Sequence, residues 1–80
     1  MTTKIEVVNG MVLLDNGDDV MQTRATQIQD IKIFPPGGNY RWRTQISGKC
    51  GYIVFGSDTR EAALDIQRRV NEVLSVCEVE

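Results

Sequence analysis

The last quarter of the chain carries the one sustained helical period in the sequence, and this limits what the rest can become. Ala62, Ala63, Ile66, Val70, Val73, Leu74 and Cys77 recur at a spacing that places them on one stripe. Ser57 or Asp58 is positioned to cap the start, and Asp58-Thr59-Arg60-Glu61 fits a loose capping box with Glu61 at the third helical position. Asp65 with Arg69, and Arg68 with Glu72, form i,i+4 pairs on the outer side. About twenty residues at 1.5 Å each make a rod of roughly 30 Å, long enough to cross a small sheet. Leu64 lies off the stripe as a lone exposed apolar residue.

Everything before this helix reads as short strands separated by turns. Lys4-Ile5-Glu6-Val7-Val8 and Met11-Val12-Leu13-Leu14 flank Asn9-Gly10, the dipeptide that best tolerates the two positive φ angles of a type I′ hairpin. The spacing favours a hairpin over one bent strand. Asp15-Asn16-Gly17-Asp18-Asp19 is a second turn. Val20-Met21-Gln22-Thr23 is weakly strand-like. Ile28 is out of phase with Ile31 and Ile33, so residues 25–34 need either a bulge near Gln29-Asp30 or a helical turn over 25–30 leading into a strand. Pro35-Pro36-Gly37-Gly38-Asn39 is a loop, since Pro donates no ladder bond and paired Gly supplies positive φ.

Residues 40–47 alternate cleanly. Tyr40, Trp42, Thr44 and Ile46 share one expected face, and Arg41, Arg43, Gln45 and Ser47 the other. After the Gly48-Lys49-Cys50-Gly51 turn, Tyr52-Ile53-Val54-Phe55 is apolar on both faces, as in a covered central strand. Segments 30–34, 40–47 and 51–55 read as an antiparallel meander. The expected fold is α+β: one antiparallel sheet of four to five strands, an N-terminal hairpin plus the meander, with one C-terminal amphipathic helix packed on one face. Over residues 20–77, strands first and a covering helix last, the topology resembles a reduced pleckstrin-homology-type domain. No motif accompanies that likeness, and it implies no function.

At 80 residues the chain is a single domain, 1–80. A chain of this size buries roughly 60–65% of its unfolded surface, so an intrinsic stability of about 5 kcal/mol is expected. No apolar run approaches the length of a membrane span, and the first residues lack the shape of a secretion signal. A cytoplasmic protein is expected. Cys50 and Cys77 are too few and too far apart for a disulfide scaffold or a metal knuckle. Cys77 falls on the helix stripe as a small core residue, and Cys50 sits in an accessible turn.

The net charge of −2 conceals a separation along the chain. Residues 1–19 set Lys4 against Glu6, Asp15, Asp18 and Asp19. Residues 20–57 set Arg24, Lys32, Arg41, Arg43 and Lys49 against Asp30 alone. Residues 58–80 are again acidic. An acidic protein with a basic middle does not suit nonspecific coating of nucleic acid, which needs many phosphate contacts. It suits one small anion, or an acidic patch on a partner.

The chain contains no His, which removes His-based acid/base work, the Ser-His and Cys-His nucleophile pairs and most zinc sites. Asp30 is the sole acid among residues 20–57, so no paired carboxylates assemble there. Gly48-Lys49-Cys50-Gly51 lacks the first Gly and the following Ser/Thr of a phosphate loop. The Asp15–Asp19 cluster lacks the spacing and terminal Glu of a calcium loop. No catalytic residue, metal or cofactor is expected.

Tyr40, Arg41, Arg43 and Lys49 are the candidate binding residues. Two guanidiniums two positions apart on a strand lie about 7 Å apart, a workable fork for a phosphate or carboxylate. The plain structural reading makes the aromatics core and the arginines solvated. The leading expectation is a non-catalytic protein that binds another protein, as an adaptor or inhibitor. In type it resembles the compact acidic accessory products of phages and mobile elements that antagonise host systems. The alternative is an oligomeric pocket protein that sequesters a nucleotide or other small anion through Arg41, Arg43 and Lys49. One helix covers one sheet face, so self-association into a homodimer or larger assembly is expected through the other.

Overall fold

The computed structural model describes residues 3–49 and 51–78, with side chains through residue 76. Six strands precede one helix: β1 (Lys4–Val8), β2 (Met11–Asp15), β3 (Val20–Thr23), a 3₁₀ turn (Ala25–Gln27), β4 (Ile28–Phe34), β5 (Trp42–Gly48), β6 (Gly51–Ser57) and α1 (Arg60–Glu78). The chain is α+β and antiparallel throughout, but the strands form two three-stranded sheets, β1-β2-β3 and β4-β5-β6. This corrects the single sheet of four to five strands.

The division has a local cause. The turn after β2 makes Val20–Thr23 a third strand paired to β2. Its backbone donors are satisfied from within: Asp15 Oδ1 accepts from the Gly17 N–H at 2.8 Å, and Asn16 Oδ1 accepts from Asp18 and Asp19 at 2.8 and 2.6 Å. The 3₁₀ turn at Ala25–Gln27 then breaks the chain direction before β4 starts. The register of β4 on β5 slips between Ile28 and Asp30. The out-of-phase Ile28 thus reports both devices at once, a helical turn and a bulge.

The first hairpin is as read. Asn9 and Gly10 take φ of 53° and 78°, and β1 pairs with β2 from Lys4↔Asp15 to Val8↔Met11. The meander is also as read, except that β5 begins at Trp42 rather than Tyr40. β6 is an edge strand of its sheet, not a central one. Its outward residues Tyr52 and Val54 are exposed and half-buried, while Ile53 and Phe55 face the core.

The helix packs against β1 and β2 of the first sheet and β4, β5 and β6 of the second. Ile5, Val12 and Leu14 from one sheet meet Ile46, Ile53 and Phe55 from the other around Ile66 and Val70 of α1. Each fully buried side chain of this kind contributes about 1.5–3 kcal/mol. Ala63, Ile66 and Val70 of the stripe are buried and Val73 and Leu74 partly so, but Ala62 is exposed. Cys50 and the Cys77 side chain lie outside the described residues.

Thr59, rather than Ser57 or Asp58, caps the helix: its Oγ1 accepts from the Ala62 N–H at 3.1 Å. Asp58 points elsewhere, as described below. Arg68 bonds Asp65 at 2.6 Å and also Glu72, so Asp65 pairs at i,i+3 instead of with Arg69. The hydrogen bond to Asp65, then the charge of Glu72, hold the Arg68 guanidinium above its ordinary range. Among the described residues, no helix is long and apolar enough to cross a membrane.

Candidate binding surface on the second sheet

The register of the second sheet sets out its outer face row by row. Phe34, Arg43 and Gly56 lie side by side, then Lys32, Gln45 and Val54, then Asp30, Ser47 and Tyr52. The inner rows are Ile33, Thr44 and Phe55, then Ile31, Ile46 and Ile53. Thr44 is fully buried, and its Oγ1 donates to the Ala63 carbonyl at 3.4 Å, so β5 is tied to the first turns of α1.

The 35–40 loop brings Tyr40 over this outer face. Gly37 and Tyr40 exchange backbone hydrogen bonds of 3.2 and 2.9 Å, closing a tight turn with Gly38 at φ 57°. The expectation that Tyr40 shares a face with Trp42 is therefore overturned. Strand alternation starts only at Trp42, and Tyr40 sits 65% exposed on the arginine side. The Arg43 guanidinium carbon lies 4.7 Å from the Tyr40 ring centroid and 5.2 Å from that of Phe34. Both distances are within cation–π range. Arg43 Nε is buried without a hydrogen-bond partner, so ring faces rather than that donor hold the group in place.

Arg41 adopts a different arrangement. Its Nη1 donates to Asp58 Oδ1 at 2.5 Å, linking the start of β5 to the entry of α1. Its guanidinium lies over Gly56, where a Cβ would stand 2.9 Å from Nη2. The missing side chain at Gly56 leaves room for that approach. Both partners are well exposed, so the ion pair itself contributes only about 0.2–1 kcal/mol.

Tyr40, Arg41 and Arg43 thus come together at one end of the sheet, joined by Phe34, Gly56 and Asp58. Lys49 does not join them. It follows β5 at the opposite end, six residues beyond Arg43, which is about 20 Å at strand rise. Its backbone N–H donates to Gln27 O at 3.0 Å. Sequence reasoning missed Phe34, Gly56 and Asp58. The cross-strand signal for Phe34 was present, since a meander with the Pro-Gly loop at its tip brings residues 34 and 43 opposite each other. The paired glycines signal a turn before β5, but nothing in the sequence indicates that it lays Tyr40 on Arg43.

Among the described residues, no group of acidic or Cys side chains is arranged to hold a metal ion. No family model, curated protein or solved structure matches the chain.

Proposed function

We propose that this chain is a non-catalytic protein-binding domain, an adaptor or inhibitor, acting through the outer face of β4-β5-β6 at the end that carries Tyr40, Arg41 and Arg43. One observation carries the reading: the Arg43 guanidinium is held against two aromatic rings, one of them on an exposed Tyr. Tyr and Arg dominate the residues on which protein partners bind most strongly. A side chain already ordered in the free protein loses less entropy on binding. Lys32, Arg41 and Arg43 outnumber Asp30 and Asp58 on this face, and the small excess of positive charge favours an acidic patch on the partner.

The test is comparative capture. Immobilised wild-type chain and a Tyr40→Ala/Arg43→Glu variant are exposed to the same lysate, and bound proteins are quantified. A partner retained by wild type and lost at least about tenfold from the variant, equivalent to about 1.4 kcal/mol, supports the reading. Equal capture by both removes it, given unchanged circular dichroism of the variant. Self-association is proposed as well, and light scattering that gives only a 9.0 kDa species at micromolar concentration counts against it. The anion reading is narrowed by the distance to Lys49 to a fork of Arg41 and Arg43. Thermal shift with a nucleotide panel decides it: no stabilisation, or stabilisation undiminished in Arg41→Ala/Arg43→Ala, removes it.

A further inference from the structure

Four strands lie at sheet edges: β1, β3, β4 and β6. Two of these edges carry the usual protection against pairing with another chain. β1 shows exposed Lys4 and Glu6. β4 shows exposed Asp30 and Lys32 and the register slip after Ile28. β3 and β6 contain no charged residue and no Pro. These two unprotected edges run beside each other without forming a ladder.

A clasp closes one end of the seam. Asn16 Nδ2 donates to the Val54 carbonyl at 2.7 Å. Toward the other end a cleft of about 530 Å³ opens between the strands, within the size range of ligand sites. Met21, the buried Ile53 and the exposed Val20 and Tyr52 give it an apolar lining, and Gly48 and Gly51 line it without side chains. Among the described residues Asp19 is the one charged lining residue, and a carboxylate there disfavours an anion.

The main chain supplies hydrogen-bonding groups here. Val54 O points away from β5, since it accepts from Asn16. The alternation of an antiparallel ladder then turns the N–H and C=O of Tyr52 the same way. In β3, the bond from Asn16 N to Asp19 O makes that a hydrogen-bonded pair. Val20 and Gln22 therefore turn their groups outward, away from β2.

We propose that this cleft accepts a short, uncharged, extended peptide segment of a partner protein, held by main-chain hydrogen bonds to the exposed edges. The inference rests on the protein-binding reading and names how the partner is gripped. A strand midway between two others needs about 9.5 Å between them, whereas β3 and β6 come within 8 Å between Cα atoms. The segment is therefore limited to the cleft itself, on the side of the clasp lined by Gly48 and Gly51, and pairs over about two or three residues.

The probe is a capped tetrapeptide of alternating Val and Thr, titrated into isotope-labelled full chain and followed by amide NMR. The Val20, Gln22 and Tyr52 amides are expected to shift. Their solvent exchange should slow about fivefold at a peptide concentration of about four times the dissociation constant. The same peptide N-methylated at alternate amides should do neither. Val20→Lys and Tyr52→Lys should each abolish the response with the remaining spectrum intact, and Val7→Lys should leave it unchanged. Unmoved cleft amides at millimolar peptide overturn the proposal. So does an equal response to the N-methylated peptide, which would make the cleft a plain apolar pocket. Failure here with capture through Tyr40 and Arg43 intact removes the cleft alone. Failure of that capture with peptide still bound here removes the outer face instead.

Discussion

The guanidinium carbon of Arg43 stands 4.7 Å from the ring centroid of Tyr40, although Tyr40 precedes the strand that carries Arg43. The contact depends on the Gly37–Tyr40 turn, which folds the ring back over β5. It is therefore expected to be both a stability contact and an ordering device. Tyr40→Ala should lower stability by about 0.5–1 kcal/mol, and a double-mutant cycle with Arg43→Met should show a coupling of similar size. A coupling indistinguishable from zero in urea unfolding would mean that the ring and the cation merely sit near each other.

Gly56→Ala probes the second cation. The new Cβ meets the far end of a flexible side chain, 2.9 Å from Arg41 Nη2, so the guanidinium moves rather than the backbone. Stability should change by less than about 1 kcal/mol. The Arg41–Asp58 coupling, about 0.2–1 kcal/mol in wild type, should fall to zero when measured in the Gly56→Ala background. Persistence of that coupling would show that the approach over Gly56 is not needed for the pair.

Asn16 separates two roles by chemistry. Its Oδ1 holds the turn, and its Nδ2 holds Val54. Asn16→Asp keeps the acceptor and loses the donor, leaving the Val54 carbonyl unpaired. A loss of about 1–2 kcal/mol is expected, with faster hydrogen exchange concentrated along β3 and β6. Asn16→Ala removes both roles and should cost more. An Asn16→Asp loss indistinguishable from zero would show that the clasp contributes nothing, and equal losses for the two variants that the turn acceptor does not.

The two sheets share one core, so damage to either should be felt in both. Leu14→Ala, in the first sheet, should cost about 2–5 kcal/mol. Trp42, the sole tryptophan, lies in the second sheet and reports the transition by fluorescence. Its midpoint in urea should shift together with that of the far-ultraviolet signal. Two separated transitions would show sheets that unfold independently. Phe55→Ala, at about 3–5 kcal/mol, should bring the chain to within about 2 kcal/mol of its unfolding midpoint in water.

The legible parts of this fold are those dictated by short-range chemistry. Asn9-Gly10, the Asp15–Asp19 cluster and the stripe through Ile66 and Val70 each identify their element within a few residues. The Ile28 phase slip points to a bulge or a helical turn, and both are present, but it does not say that the sheet ends there. Whether β3 and β4 continue one sheet depends on how the chain leaves Thr23, and propensity does not encode that direction. The apolar run Tyr52–Phe55 reads as a central strand, yet β6 lies at a sheet edge and Tyr52 borders a cleft there. At the candidate surface, Arg41 and Arg43 were found from alternation alone. Their partners Asp58, Gly56 and Phe34 come from other elements and follow only from the register. Lys49 was grouped with the arginines by sequence proximity, a poor guide along an extended strand.

Both sheets are finished in chain order before α1 begins, yet Ile66 and Val70 are what their apolar sides close upon. A ribosome extending this chain therefore releases two half-wet β-layers first, and until the rod emerges they are joined by little more than the Asn16–Val54 clasp and the β3–β6 seam. Acquisition of the native state is then a late, nearly all-at-once event. Before that event the uncharged margins of β3 and β6 are open to any stray strand, which is the interval in which a holdase would matter most to this polypeptide.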